Sequence, residues 1–489
     1  DGGAVTTRIY DPVDRLRSEK RGREETSYFY DANDNLIRIE DAQERDIVYE
    51  YDARDRLTVT TYPGERGETT TERTYFGDDR VATFTDRAGN TFSYQYDAAR
   101  RLASISALPG AGFNTATTRR DFGYDALGRL TRASVFGGFA GIEGPSEEDE
   151  VPEADSIVSF AYNAVDTRIS ERQGELGLSV TPNGFGERGE VSYTGGWAQG
   201  LVFGRDTRGL VTSLMGGDVS ASFQYSASDF LAQVGFGEST VSMRTPNTAR
   251  EEVGRVLSRQ TEVLASHAAQ RAGDGRVTVL TRTSGRSDRF SYSEGERWLE
   301  RVEFSVVGAD APPDPDPEPE GEEPEVDPVA ESAASIVALA YDASGNRSQL
   351  ERFGANTGGD RPSFTLSYAS NVLNQYTTVG DTALSYDDNG NLRFDGTQQY
   401  GYDAFGQLTD VIVNEQVIAQ YAYDALGRTR ARGYSDGRVE TLLYDGDQLV
   451  AVQNADDGAA LRTYIYQPDA VDVPIAMVTG GAVYYFELD

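Results

Sequence analysis

The sequence predicts an all-β protein, built as an array of β-hairpins that follow one another along the chain. One short unit recurs in a constant register: an aromatic residue, Asp, two variable residues, Gly or Asn or Asp, a polar residue and, in most copies, Leu. Clear copies occupy residues 386–392, 402–408, 423–429 and 124–130. Aromatic residues also alternate ahead of the unit, as in Tyr421 and Tyr423, with the two-residue period of a strand. Repetition in one register decides the architecture, because every copy should fold into the same local structure.

Each position of the unit has a physical role in a hairpin. The Tyr ends one strand, because aromatic side chains pack well on a pleated surface. The Asp opens a type I turn and accepts nearby backbone N–H groups, and the Gly takes a left-handed conformation that closes a bulged hairpin. In two copies Asp34 and Asp55 replace the Gly, which Asp tolerates better than most residues. Because the Tyr-Asp pair recurs at every turn, we interpret it as structural and not as a catalytic pair.

The chain divides into five segments. Residues 1–136 form a regular array, and residues 137–155 are a Gly-rich and acidic insertion that cannot bury a core. Residues 156–308 are degenerate repeats, residues 309–334 are an acidic, Pro-rich insertion expected to be disordered, and residues 335–489 return to strong repeats. The Tyr residues that precede turns in the two strong arrays are Tyr10, Tyr30, Tyr51, Tyr75, Tyr96, Tyr124, Tyr402, Tyr423, Tyr444 and Tyr466.

The degenerate segment keeps the frame of the unit less clearly. We place copies at residues 162–168, 185–191, 203–210 (with one extra residue), 225–231 and 292–298, so that Phe185 and Phe203 take the position of the Tyr. Residues 248–272 are rich in good helix formers, which makes a helix the alternative there. The Gly-Arg-Val ending at residues 254–256 matches the repeat, and we therefore favour strands.

Composition excludes several classes of function. With 45 basic and 80 acidic residues the formal charge is −35, which argues against binding to nucleic acids or anionic membranes. No apolar run approaches the length of a membrane span, and the absence of Cys excludes disulfides and thiolate chemistry. The chain begins with Asp1, so we expect a fragment or a processed piece of a longer protein.

No residue is assigned to catalysis, to a cofactor or to a metal. The single histidine, His267, lies among Ala, Ser and Gln, and we expect a surface residue. We expect no metal role for it, because zinc sites need several nitrogen or sulfur ligands. The stretch Asp387-Asp-Asn-Gly-Asn391 has the composition of a calcium loop but lacks the distal Glu, and we interpret it as a turn.

The repeats resemble those of the Rhs/YD-repeat family, which includes bacterial Rhs polymorphic toxins, the B and C components of Tc toxins, and the teneurin YD shell. The resemblance is strongest from Asn371-Val-Leu-Asn-Gln-Tyr376 to Tyr402-Asp-Ala-Phe-Gly-Gln-Leu408. The stretches Tyr444-Asp-Gly-Asp-Gln-Leu-Val450 and Gly480-Gly-Ala-Val-Tyr-Tyr-Phe486 resemble the region that leads into the Rhs repeat-associated core. The resemblance covers the chain except for the two insertions.

The resemblance implies a sheet that spirals into a hollow β shell around a C-terminal toxin. Coiling of this kind would also pair strand edges that otherwise invite aggregation. In the family an aspartyl protease ends the core at an Asp-Pro-x-Gly motif. The pairs Asp11-Pro12, Asp314-Pro315 and Asp327-Pro328 lie outside that context and lack the Gly, so we expect no enzyme in this chain, whose core is truncated.

The function expected from the sequence is therefore that of a structural shell segment in a secreted or cell-surface bacterial protein. The partners implied are an encapsulated C-terminal toxin domain or a secretion apparatus. The alternative is an extracellular adhesin that binds glycans or assembles with itself into filaments, which the 28 Tyr and 21 Phe residues would serve if they were exposed. Cofactors, nucleic acids and a membrane span are not expected.

Overall fold

The structure is a computed structural model, and it describes most of the repeats. The described residues are 6–21, 24–64, 67–137, 156–174, 176–194, 200–217, 219–237, 240–246, 252–259, 262–272, 276–282, 287–292, 298–305, 333–342, 344–354, 362–467 and 473–486. The predicted insertions lie outside these residues except for positions 137, 333 and 334. Within the described ranges there are 42 strands and no helix, which confirms the all-β prediction. Accordingly, no helix in this part of the chain is long and apolar enough to cross a membrane.

Twelve strands cover the regular repeats at the start of the chain. They are β1 (Thr6–Tyr10), β2 (Leu16–Arg21), β3 (Glu24–Tyr30), β4 (Leu36–Glu40), β5 (Asp46–Tyr51), β6 (Leu57–Tyr62), β7 (Thr69–Tyr75), β8 (Val81–Thr85), β9 (Thr91–Tyr96), β10 (Leu102–Leu108), β11 (Arg119–Tyr124) and β12 (Leu130–Phe136).

Fourteen strands cover the degenerate segment. They are β13 (Ser156–Tyr162), β14 (Arg168–Gln173), β15 (Leu176–Pro182), β16 (Arg188–Thr194), β17 (Leu201–Arg205), β18 (Val211–Gly216), β19 (Val219–Tyr225), β20 (Leu231–Phe236), β21 (Thr240–Pro246), β22 (Glu252–Arg259), β23 (Glu262–Arg271), β24 (Val277–Arg282), β25 (Ser287–Tyr292) and β26 (Leu299–Ser305). Strands β22 and β23 pair antiparallel where a helix was the alternative, so the strand prediction is confirmed.

Sixteen strands cover the last array. They are β27 (Ala333–Tyr341), β28 (Arg347–Gly354), β29 (Phe364–Ser370), β30 (Tyr376–Val379), β31 (Thr382–Ala383), β32 (Ser385–Tyr386), β33 (Leu392–Phe394), β34 (Gln399–Tyr402), β35 (Leu408–Val413), β36 (Gln416–Tyr423), β37 (Thr429–Tyr434), β38 (Val439–Asp445), β39 (Gln448–Asn454), β40 (Ala460–Tyr466), β41 (Pro474–Thr479) and β42 (Ala482–Tyr485).

The turn that follows each repeat Tyr, called here the Tyr-Asp turn, has the predicted geometry. In the copy at residues 125–129 the Asp125 N–H donates to the Arg129 carbonyl (3.0 Å), and the Gly128 N–H donates to the Asp125 carbonyl (3.1 Å). Gly128 has a φ of 87°. One Asp125 carboxylate oxygen, Oδ1, accepts the N–H groups of Leu127 and Arg129 at 2.9 and 3.0 Å. The register shifts by one residue just before Tyr124 pairs with Leu130, which is the expected bulge.

Successive copies are tied together by the Tyr hydroxyl and the turn Arg. Tyr124 Oη donates to the Leu102 carbonyl of the preceding copy at 3.0 Å, and Arg101 of that copy lies over the Tyr124 ring at 4.8 Å. The same Tyr hydroxyl bond joins Tyr30 to Leu16, Tyr75 to Leu57, Tyr96 to Val81, Tyr162 to Leu130, Tyr402 to Leu392, Tyr423 to Leu408, Tyr444 to Thr429 and Tyr466 to Leu449. The Tyr of the unit therefore bonds to the copy before it.

Two predicted copies in the degenerate segment have a different frame. Phe185 does not end a strand: Asn183 takes the Asp position, and Phe185 lies at the tip of the turn. The next turn begins at Asp206, so Arg205 takes the Tyr position and no extra residue is needed after Phe203. The prediction was wrong at both places because it followed the aromatic residue, whereas the side chain that accepts the backbone N–H groups sets the frame. The turn expected after Tyr292 lies outside the described residues.

The chain folds into two compact units. The first contains Asp1–Ile47, Tyr225–Val234 and Ser239–Asp381, and the second contains Val48–Gln224, Gly235–Glu238 and Thr382–Asp489. In the first unit, strands β1 to β4 and strands β21 to β30 form two runs of hairpins. In the second unit β5 to β19 form one run, called here the early row, and β32 to β42 form another, called the late row.

The core of the second unit is made by alternate residues of both rows. Strands β12 and β15 of the early row contribute Val135 and Leu178, and strands β38 and β39 of the late row contribute the paired residues Leu443 and Ala451, all of them buried. Leu443 belongs to a cluster that includes Leu176 of the early row. The apolar residues that strand alternation directs to one face therefore hold the two rows together.

Candidate functional site

The candidate functional site is the seam, defined here as the contacts that turns of the late row make with the early row. At the first two of these turns the partners lie at strand ends opposite the early row's own Tyr-Asp turns. At the last two they are Glu171 and two arginines, Arg168 and Arg188, which directly follow such turns. Both rows belong to the second unit. Three turns of the late row, at residues 387–391, 403–407 and 424–428, together with the tight turn at residues 445–448, make these contacts along the chain. The seam joins the early row to the late row of this unit.

The first turn of the seam meets a turn of the same chemistry in the early row. Asp86 Oδ1 accepts the N–H groups of Ala88 and Asn90, as the Asp of a Tyr-Asp turn does. Asn389 Nδ2 donates to Asp86 Oδ2 at 2.7 Å, and the Ala88 N–H donates to Asn389 Oδ1 at 3.2 Å. The two turns therefore bind each other through a pair of amide hydrogen bonds.

The second turn inserts an aromatic side chain into the early row. The Phe405 ring lies 5.3 Å from the Phe92 ring in an edge-to-face arrangement, and the Arg120 guanidinium lies 3.9 Å above Phe405. Such ring and cation contacts each stabilise by about 0.5–1.5 kcal/mol. A cavity of about 390 Å³ beside them is lined by these three residues with Phe84, Tyr94 and Asn391.

Backbone pairing continues the seam at the same turn. Asn114 in the early row donates its N–H to the Tyr402 carbonyl at 3.1 Å and forms a parallel bridge with Asp403. The Asn114 side chain also donates to Thr409 Oγ1, and to Asp410 Oδ2 at 3.2 Å. Polar groups that the two rows bury are therefore bonded across the seam, as buried polar groups require.

Asp403 is the exception within this turn. Its side chain is buried, Oδ1 accepts the Gln407 N–H at 3.0 Å, and Oδ2 has no hydrogen-bond partner. Burial raises the pKa of Asp403, and the hydrogen bond from the Gln407 N–H and the charge of Arg120 only partly oppose that rise. Burial in turn lowers the pKa of Arg120. A carboxylate that is costly to ionise therefore lies in the middle of the seam.

The last two turns form a buried ion network. Glu171 of the early row is 0% exposed, and its Oε1 lies 2.7 Å from Arg428 Nη1. Its Oε2 lies 3.0 Å from Arg168 Nη1 and accepts the Gly446 N–H at 3.0 Å. Burial opposes the charge of Arg428, yet Asp424 and Glu171 outweigh burial and raise the pKa of Arg428.

The network ends at Asp445, in the tight turn of the late row. Two arginines of the early row bind it: Arg168 Nη2 lies 2.7 Å from Oδ1, and Arg188 Nη2 lies 2.5 Å from Oδ2. Glu171 and Asp445 are thus each neutralised by at least two Arg contacts. The arrangement can hold the two rows in one register.

Among the residues that the structure describes, the first unit has a comparable contact at Arg45. Arg45 follows β4 and donates to the Val372 carbonyl at 2.8 Å and to Ser344 Oγ at 3.0 Å. It also donates to Asn374 Oδ1 at 3.1 Å. These three partners lie in the Tyr-Asp turns after β27 and β29, so the same kind of contact occurs in each unit.

The sites considered from the sequence do not take part in the seam chemistry, apart from one turn. Residues 387–391 form a turn, as predicted, with Asp387 Oδ1 accepting the N–H groups of Asn389 and Asn391. His267 lies within β23, between β22 and β24, and its side chain is 18% exposed, so the expected surface residue is partly buried. Among the described residues, no three His, Cys, Asp or Glu groups converge in a way that could hold a metal.

Sequence reasoning missed the residues that make the seam. Glu171 and Arg168 lie in a degenerate strand, and nothing in the local pattern pairs them with residues more than 250 positions away. One signal was present: Gln407 stands where many other copies have Arg or Asn.

Family models match two parts of the chain. The model described as teneurin YD-shell matches residues 326–489, and the model described as RHS repeat matches residues 30–66. Over these two ranges the chain carries Rhs/YD repeats. Among curated proteins, the chain is 34% identical over 135 residues to the tRNA nuclease WapA of Bacillus subtilis (strain 168). Those residues are 27% of this chain and 6% of WapA, so the match covers a small part of that relative.

Solved structures show the same fold over nearly the whole chain. A chain of the Photorhabdus luminescens Tc holotoxin pore matches 94% of the Rhs/YD chain with a TM-score of 0.63 and 13% identity, and the match covers 24% of that chain. The TcdB2-TccC3 structure without its hypervariable C-terminal region matches 98% with a TM-score of 0.55 and 13% identity, over 28% of that chain. The resemblance inferred from the repeats is therefore confirmed at the level of the fold.

Proposed function

We propose that this chain is a wall segment of a shell in a secreted or cell-surface Rhs/YD-repeat protein, and that the shell encloses or presents a C-terminal toxin. The seam is the observation that supports this proposal most directly. A wall must keep its layers in register, and the buried pairs of Glu171, Arg428 and Asp445 favour one register over its neighbours. The likeness in fold to a Tc holotoxin chain and the partial identity to a tRNA nuclease support the proposal of an enclosed toxin.

The chain itself acts without catalysis in this proposal. The carboxylates of the seam are bound by arginines or buried, and those of the repeats accept backbone N–H groups in turns. The toxin activity would therefore belong to a different part of the protein. Glycan binding and self-assembly stay predictions without a supporting observation.

The test uses the natural full-length protein purified from its source. Intact mass and terminal peptides define whether the polypeptide extends beyond Asp489. We expect a C-terminal segment that stays bound to the repeats on gel filtration and resists trypsin while the shell is folded. The same segment should be digested once the sample is denatured, which is the control for its intrinsic cleavability.

Two results would reject the enclosed toxin. The first is a protein with no further domain, and the second is a C-terminal segment that trypsin removes at the same rate before and after denaturation. Oligomers or glycan binding in such a protein would support the adhesin or filament alternative instead.

A further inference from the structure

A cavity of about 270 Å³ lies between the two rows of the second unit, beside the last turn of the seam. Strands β16 to β18 of the early row line one side, and strands β38 to β40 of the late row line the other. The seam contributes Arg188 and Asp445 to this lining. Native cores contain few voids larger than a water molecule, so a void of this size between two packed rows calls for an explanation.

The inner part of the cavity is apolar. Leu201 and Phe203 alternate along β17 and therefore share one face. Cross-strand pairing brings Val191 beside Leu201 and Leu214 beside Phe203, and Val450 lines the opposite side. The aliphatic residues of this group are all buried. Because each buried water needs about two to four polar partners, this part of the cavity suits an apolar group better than water.

The outer end of the cavity is polar, because the lining residues there lie where strands meet turns. Arg188 begins β16 and Arg205 ends β17, at the ends that adjoin Tyr-Asp turns. In the late row, Gln448 begins β39 and Gln467 follows the last residue of β40. The side chain of Arg188 is 34% exposed, so this end of the cavity reaches solvent.

The charges at the polar end favour an anion. Among the described residues that line the cavity there are two arginines and one carboxylate, Asp445, which also binds Arg168 at 2.7 Å. Glu187 Oε2 lies 3.6 Å from Arg205 Nε, but the Glu187 side chain is 37% exposed and solvent screens its charge. Guanidinium groups present their N–H donors in a planar fork that matches the two oxygens of a carboxylate.

We propose that this cavity binds a small organic acid, with the carboxylate at Arg188 and Arg205 and an apolar ring among the buried aliphatic side chains. The volume of about 270 Å³ is slightly below the roughly 300–1,000 Å³ of ordinary ligand pockets, which limits the ligand to about one ring. Gln448 and Gln467 would orient the head group by hydrogen bonds. This inference goes beyond the proposed shell and does not depend on an enclosed toxin.

The experiment titrates phenylacetate into the natural full-length protein by isothermal calorimetry, up to about 10 mM. Two control ligands separate the two ends of the cavity: phenylacetamide has the same shape without the charge, and acetate has the charge without the ring. We expect one phenylacetate per chain, bound at least about tenfold more tightly than either control, because only phenylacetate uses both ends.

Two substitutions locate the site. Leu201→Phe fills the apolar part and Arg205→Gln removes a charge from the polar end, so each should weaken phenylacetate binding by at least about tenfold. Arg208→Gln is the matched control, because Arg208 pairs with Asp206 at the surface and does not line the cavity. It should change the affinity by less than about twofold. Thermal unfolding shows whether each variant is folded, and Arg205→Gln decides if Leu201→Phe is not.

Three results would overturn the proposal. The first is the absence of phenylacetate binding up to about 10 mM, and the second is equal binding of either control ligand. The third is an affinity that a folded Leu201→Phe variant leaves unchanged, or that Arg208→Gln weakens as much as Arg205→Gln does, because the anion would then bind elsewhere. None of these results affects the trypsin protection of a C-terminal segment, so this inference and the enclosed toxin can fail separately.

Discussion

At the scale of single residues, the side chain at the fifth position of the Tyr-Asp turn determines whether the second carboxylate oxygen of the Asp has a hydrogen-bond partner within the turn. Arg at this position binds the second Asp oxygen, as Arg129 Nε does with Asp125 Oδ2 at 2.6 Å. Asn does the same, as Asn391 Nδ2 does with Asp387 Oδ2 at 2.9 Å. Gln407 instead accepts from Arg120 and donates to the Gly427 carbonyl, which leaves Asp403 Oδ2 without a partner.

The side chain at position 407 is explained by its surroundings in the seam. An Arg there would bring a second guanidinium next to Arg120, whose Nη2 lies 2.6 Å from Gln407 Oε1. Gln accepts that hydrogen bond without adding a charge. The cost falls on Asp403, because burial raises its pKa. In other copies a hydrogen bond from Arg15 helps to lower the pKa of Asp11, and one from Asn35 helps to lower the pKa of Asp31.

Asp403→Asn should stabilise the protein at neutral pH. An ionised Asp403 with a raised folded-state pKa destabilises the fold above that pKa, and the effect disappears below the pKa of the unfolded chain. Removing the charge should raise the free energy of unfolding by about 1 kcal/mol at pH 8, the scale of one unsatisfied buried group. Urea unfolding at pH 5 and pH 8 measures this.

Asp424→Asn is the matched control, because Asp424 holds the same turn position and accepts from Arg428 Nε at 2.8 Å. It should destabilise by about 1–3 kcal/mol, since a buried Arg loses a charged partner. Equal losses in both variants would mean that Asp403 is stabilising and that the unpaired oxygen is paired in solution.

At the scale of the elements, each Tyr-Asp hairpin depends on one residue with a left-handed backbone. Gly fills this position in many copies, and Asp34, Asp79, Asp166 and Arg100 fill it in others, with φ between 65° and 70°. A side chain costs about 1–2 kcal/mol in this conformation, although Asp suffers less than most. The repeat therefore tolerates variation here at a local cost in stability.

Arg100→Gly should raise the free energy of unfolding by about 0.5–1 kcal/mol, because Arg100 has a φ of 65° and an exposed side chain. The reverse change, Gly128→Ala at a φ of 87°, should lower it by about 1 kcal/mol or more. Chemical unfolding of the two variants side by side tests the turn assignment. A stabilising Gly128→Ala would contradict the left-handed conformation.

Each hairpin is also incomplete by itself. The Tyr hydroxyl bond and the Arg–Tyr stacking both join one copy to the next, as Tyr423 shows by donating to the Leu408 carbonyl at 2.7 Å. Burial raises the pKa of Tyr423 to about 12, so this donor stays protonated over the physiological range. The stability of the array is therefore carried largely by contacts between neighbours, as in other repeat proteins.

At the scale of the whole chain, paired charges decide how rows of hairpins meet. Glu171→Ala should lower the free energy of unfolding by about 3–5 kcal/mol, because it leaves the buried Arg428 with one partner fewer and the Gly446 N–H without its acceptor. Arg438→Ala is the control: its ion pair with Asp436 is exposed and screened by solvent, so its loss should change the free energy of unfolding far less. Hydrogen exchange at Gly446 should rise only in the Glu171 variant, and unchanged exchange there would exclude a role in the seam.

The turn aspartates make the chain sensitive to acid. A hydrogen bond from Arg56 is the largest contribution that lowers the pKa of Asp52 from its ordinary 3.8 to about 2. A folded-state pKa below the unfolded one gives stability that is present above the unfolded value and is lost as the pH falls through about 2. We expect the urea concentration at the unfolding midpoint to decrease as the pH is lowered from about 4 to about 2. Asp52→Asn should be less stable than the parent protein at pH 6 but not at pH 2.

The sequence by itself determined the local structure. The Asp, the left-handed residue and the Leu act within one turn of a few residues, so their spacing predicted hairpins wherever the acceptor side chain was recognised. The prediction failed at Phe185 and Phe203, because there the predicted frame was set by the aromatic residue and not by the acceptor. The strands within residues 248–272 were also predicted from the Gly-Arg-Val ending at residues 254–256. The match to the repeat was a better guide there than the helix propensity of the individual residues.

Only the tertiary structure decided which copies of the turn are covered. Phe185 and Phe405 hold the same position in turns of the same chemistry, yet one is bare and the other lies against Phe92. Likewise, Glu171 reaches Arg428 only because two rows meet at that register. Contacts between residues hundreds of positions apart depend on the number of hairpins between them and on the accumulated twist of those hairpins. A local sequence pattern does not encode that accumulated twist.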